Sequence, residues 1–90
     1  MIDSSATITG AASTPLVAKP GRTWVFIQNR SADNIWFNIG GTATVAGAGC
    51  IGLIGLGANV RFTAKEIPVY DAISFISSGA SSGVTILSDK

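Results

Sequence analysis

Residues Gly47–Gly52 read GAGCIG, inside the longer run Thr42–Phe62, TATVAGAGCIGLIGLGANVRF. The spacing G-x-G-x-x-G is that of a dinucleotide-binding turn, in which glycines let backbone amides approach a pyrophosphate. An acid, Asp71, even follows at roughly the 20-residue distance at which such folds place a ribose-binding carboxylate. That motif needs a strand before it and a helix that begins inside it, because the helix N-terminus holds the phosphates. Here Gly52 is followed by Gly55 and Gly57 and then by the strand-like Asn59–Phe62, NVRF. No helix can begin in such a run, so the stretch reads as turn, short strand, turn, and nucleotide binding is not expected.

The same grammar extends in both directions. No segment carries apolar residues at i, i+3, i+4 and i+7 over three turns, and glycine or β-branched residues interrupt every attempt. Upstream, Arg22–Gln28 (RTWVFIQ) is the strongest strand, bounded by Lys19–Gly21 and Asn29–Asn34; Asn34–Ile39 (NIWFNI) follows, and the two read as a hairpin. Alternation in the second strand sets Ile35, Phe37 and Ile39 on one face and Trp36 and Asn38 on the other. In the first, Trp24 and Phe26 oppose Thr23, Val25 and Ile27, so both faces are largely apolar. Weak strands at Ser5–Thr9 and Pro15–Ala18, and further ones at Ile51–Leu53, Asn59–Thr63, Ala72–Ser77 and Val84–Ser88, complete about eight at short spacing. The expected fold is a single all-β domain, a small β-sandwich or jelly roll of antiparallel strands, over residues 20–90. Residues 1–19 are expected to act as an N-terminal arm or as edge strands.

Composition narrows the function. Charged residues form 12% of the 90-residue chain and hydrophobic ones 47%, against about 25% charged in an average soluble protein. So little charge cannot clothe a lone monomer, which implies surface covered in an assembly. The net charge of +1 comes from scattered basic residues, giving no footprint for nucleic acid. There is no histidine and a single cysteine, Cys50; an intrachain disulfide and the common zinc spacings are excluded. Cys50 is expected to be a small buried or interface hydrophobe. The first ten residues lack the basic and apolar regions of a secretory signal, so the chain is expected to stay in the cytoplasm where it is made. Between Asp33 and Arg61 no charge occurs, but the continuously small or apolar part, about Val45–Val60, is shorter than the ~18 residues of a spanning candidate. Membrane insertion is not expected, although the run has some likeness to a fusion peptide.

Catalysis has few parts to draw on. Glu66 and Asp71 flank Ile67–Tyr70 and are the only acids near each other in sequence; they read as turn-forming carboxylates. No enzymatic activity, cofactor or metal is expected. The residues singled out for contact are the aromatics Trp24, Phe26, Trp36 and Tyr70, with Arg22, Arg30, Arg61 and Lys65 as groups that could hold an acidic partner surface.

Three stretches together, Lys19–Thr44, Gly49–Phe62 and Ala72–Leu87, resemble small virion proteins of tailed bacteriophages. The resemblance rests on Pro20 with Arg22, Ile27-Gln28-Asn29, Gly41-Thr42-Ala43, Gly49 with Ile51 and Leu53, Gly57 with Phe62, and a closing hairpin from Ile73 to Leu87. Lys65–Asp71, KEIPVYD, is longer and more charged than the link expected there. The resemblance implies a capsid decoration or cement protein located in the virion, contacting the major capsid protein or another virion protein. The apolar residues on both faces of the two strands imply a homo-oligomer, expected to be a trimer, with its contact on one face of the Trp24 and Trp36 hairpin. Alternatives are a tail, neck or head-fibre adaptor, or a carbohydrate-binding module using the exposed rings.

Overall fold

A computed structural model describes residues 1–90 as nine strands and no helix. In chain order these are β1 Ile2–Asp3, β2 Ala6–Ile8, β3 Ser13–Leu16, β4 Trp24–Asn29, β5 Ile35–Ile39, β6 Ile51–Leu53, β7 Asn59–Thr63, β8 Ile73–Ser77 and β9 Ser82–Ser88. All pairings are antiparallel. One sheet runs β1-β9-β4-β7, with β2 also beside β9, and the other runs β3-β8-β5-β6. From β2 onward every connection but β5–β6 crosses between sheets, so the chain winds as a jelly roll.

The hairpin expected from β4 and β5 does not form. β4 lies between β9 and β7, whereas β5 lies between β8 and β6 in the opposite sheet. Arg30–Asn34 is a crossover, and Asn29 shows why it holds. The Asn29 side chain is fully buried; its amide donates to the carbonyls of Asp33 and Leu53, and its Oδ1 accepts from the Ser31 N–H. Those bonds satisfy the turn from within and bind it to β6 in the other sheet.

Alternation fixes the layers. Val25, Ile27 and Asn29 of β4 and Val84 and Ile86 of β9 point inward from one sheet; Ile35, Phe37, Ile73 and Phe75 point inward from the other. Phe37 is the centre, with ring centroids 5.7 Å from Phe75 beside it and 6.1 Å from Phe62 across the gap. Residues 1–19 contribute too. β1 and β2 lie against β9 and β3 against β8, and Ile8 and Leu16 belong to the buried cluster. At β3 the strand begins and ends two residues earlier than its apolar stretch, Pro15–Ala18, predicts, and its register shifts between Ser13 and Leu16, because Pro15 has no N–H for the ladder.

Gly47–Gly52 leads into β6 and not into a helix. Gly47 donates to Thr44 and Cys50 to Gly47 in two successive turns, and Gly49 takes φ 78°. The Gly40–Cys50 loop folds back over its own sheet, where the Ala43 N–H donates to the buried Ser74 hydroxyl.

Candidate interaction surfaces

The sequence-predicted contact residues fall in separate places. Trp24 and Phe26 face outward from β4, and Arg61 stands beside them on β7, its guanidinium 5.3 Å from the Trp24 ring centroid. Arg30 reaches the same face: its guanidinium lies against Gly83 of β9, where a Cβ would meet it at 3.2 Å. Trp36 faces outward from the opposite sheet. Tyr70 is exposed in the β7–β8 connection, and its carbonyl accepts from the Lys19 N–H. Because β4 and β5 belong to different sheets, Trp24 and Trp36 cannot share one contact face.

Arg22 is inside the molecule, only 3% exposed. Its Nε donates to the Lys90 carbonyl at 3.0 Å, Nη1 to Val69 at 3.0 Å and Asp71 at 3.4 Å, and Nη2 to Val17 at 2.7 Å. Burial lowers its pKa from the ordinary arginine value, and Asp89 opposes that shift. The side chain ties the β3–β4 connection, the β7–β8 connection and the C-terminal residue Lys90 together and is not free to hold a partner. Just outside it lies a shallow groove of about 400 Å³ between β1 and β3, lined by Ile2, Leu16, Val17, Lys19 and Lys90 among others. At its rim the Asp89 carboxylate accepts from the Thr23 hydroxyl and the Thr23 and Trp24 amides. Those bonds, the Thr23 hydroxyl above all, hold the carboxyl down to about 2.

The other candidate chemistry is engaged in local structure. Glu66 Oε1 accepts from the Thr63 amide and hydroxyl within one turn. Cys50 is half-buried, and its Sγ accepts from the Thr44 N–H at 3.5 Å and the Asn38 amide at 3.8 Å. No three His, Cys, Asp or Glu residues are grouped to hold a metal, and no helix is long and apolar enough to cross a membrane.

A surface that the sequence reading passed over is the margin of the second sheet at β6. Leu56 is 73% exposed and Ile54 60%, with Val45 and Ile51 also exposed. Beside them the Trp36 indole covers Gly52; a Cβ there would meet its Nε1 at 3.0 Å and the Ile54 Cδ1 at 3.3 Å. Its signal in the sequence is the charge-free run between Asp33 and Arg61. Alternation assigns Ile51 and Leu53 to one face, yet only Leu53 joins the buried core, while Ile51 at the start of the strand is exposed.

Comparison of the chain with protein-family models, with curated proteins and with solved structures gave no match.

Proposed function

We propose that the chain is a structural component of a bacteriophage virion, a cement protein that decorates and stabilises the capsid by burying apolar surface against neighbouring subunits. The observation that carries this reading is the exposure of the large apolar side chains Val45, Ile51, Ile54 and Leu56 within the charge-free stretch between Asp33 and Arg61, on a domain so poor in charge. Uncharged apolar side chains at this exposure mark a surface that works when covered. The small rigid roll supports the same reading, since jelly rolls recur in viral shells, although they also occur in lectins and cupins. The virion assignment itself rests on the sequence resemblance. A position at the neck, tail or fibre base uses the same surfaces with fewer copies.

The carbohydrate-binding alternative has less support. Arg61 already stacks near the Trp24 ring, so a sugar would have to displace it.

The test is quantitation of the chain in purified particles of the virus whose genome encodes it, joined to imaging of those particles. Copies in the hundreds, on the shell, are expected. A dozen or fewer would move the protein to the neck or tail, and its absence from the particle would overturn the virion reading.

A further inference from the structure

We propose that β6 is a self-pairing edge, through which two copies of this chain join their β3-β8-β5-β6 sheets into one continuous sheet across a two-fold axis at Gly52. The four sheet margins differ in a way that singles β6 out. β7 carries Arg61; the margin beside β9 is shared by β1, which carries Asp3, and β2, is interrupted at Ser4–Ser5, and ends where the Thr9 carbonyl accepts from Ser77 of the other sheet; β3 carries Pro15 and a register shift. Charge, proline and irregularity are the devices that keep an edge from pairing. β6 is Ile51-Gly52-Leu53, with none of them.

Hydrogen-bond alternation determines which groups it offers. The Asn34 carbonyl accepts from Ser78 at the β8 side, so in an antiparallel ladder Ile35 and Phe37 turn their groups to β6. They pair there with Leu53 and Ile51, which leaves the Gly52 N–H and C=O directed away from β5. One outward donor and one outward acceptor on a single residue is a self-complementary pair: Gly52 of each copy gives one bond and takes one. Antiparallel pairing about Gly52 sets Ile51 opposite Leu53 of the second copy, and brings position 54 to 50 and position 56 to 48. All of these positions are uncharged, so each copy meets apolar surface like its own. A charged partner would find nothing to pair with.

The exposed apolar area at this margin is on the order of a few hundred Å² per copy, below the ~800 Å² per partner of a stable interface. The dimer is therefore weak and concentration-dependent, dissociating at micromolar dilution and forming where copies are held close together. The inference deepens the assembly reading and rests on it only for self-association; the particle measurement and the solution measurement fail separately.

The test is sedimentation velocity from about 5 to about 500 μM, with amide hydrogen exchange at the two ends of that range. A monomer–dimer equilibrium is expected, with Gly52 N–H exchange slowing as concentration rises. Ile54→Lys and Leu56→Lys, at side chains outside the buried core, are each expected to weaken association about tenfold or more, with circular dichroism unchanged. A monomer throughout the range overturns the proposal. So does self-association that leaves Gly52 exchange independent of concentration, or that both lysine variants retain at wild-type strength. The exchange measurement needs no variant, so a lysine chain that fails to fold does not remove the test.

Discussion

Replacing Arg22 with methionine keeps a long apolar stem and deletes the guanidinium that four carbonyls share. The cost follows from where those carbonyls lie. The bond to Val69 is buried, and an orphaned buried acceptor costs about 1–3 kcal/mol. The bonds to Val17 and Lys90 are partly buried; water replaces them, at about 0.5–1.5 kcal/mol each. The 3.4 Å contact with Asp71 is too long to add much. Together these sum to about 2–6 kcal/mol, a large share of the roughly 5–13 kcal/mol that holds a domain of this size. At about 4–8 °C per kcal/mol, the melting temperature falls by at least about 8 °C. Thermal unfolding followed by tryptophan fluorescence measures it, with wild type and Arg22→Lys alongside. Lysine keeps the charge but cannot reach four carbonyls at once, so it recovers little. A methionine variant that melts within about 2 °C of wild type would refute the clamp, since the three shorter bonds together are worth more than that.

Asp89 sets a pH dependence. Its carboxyl is depressed to about 2 in the folded chain, so its stabilising contribution is complete above the unfolded value near ~3.9 and is lost as pH falls toward 2. Carboxyl-detected NMR should place the midpoint near 2, and Thr23→Val should raise it toward the ordinary aspartate range; an unmoved midpoint would remove the hydroxyl as the cause. Adjacent β5 residues should behave oppositely. Phe37→Ala, fully buried between Phe62 and Phe75, should cost about 3–5 kcal/mol, whereas Trp36→Lys should leave a folded β-rich chain by circular dichroism. Gly79→Ala should destabilise measurably in denaturant titration, because the new methyl would run into the Asp33 carboxylate and displace it from the Ser82 hydroxyl.

Much of the local structure was legible in the residues. The alternation in Asn34–Ile39 separates the inward Ile35 and Phe37 from the outward Trp36 and Asn38, and the structure keeps that division. The glycines of Gly52–Gly57 and the β-branched residues elsewhere leave strands and turns as the only regular options, since both are poor in helices for local, steric reasons. Which strand meets which is not a local property. A strand, a polar turn and a second strand have the same pattern whether they fold as a hairpin or step between sheets, and β4 and β5 take the second course because Asn29 is satisfied by Asp33 and Leu53. Arg22 reads as a surface cation on its own strand; its burial depends on carbonyls at Val17, Val69, Asp71 and Lys90, brought together only by the closed roll. Ile51 and Leu53 share a face in sequence and part in exposure in the folded molecule, where Leu53 joins the core cluster and Ile51 does not. Side-chain periodicity belongs to the sequence, whereas partner choice and edge position depend on contacts between residues far apart in the chain, and those exist only in the folded molecule.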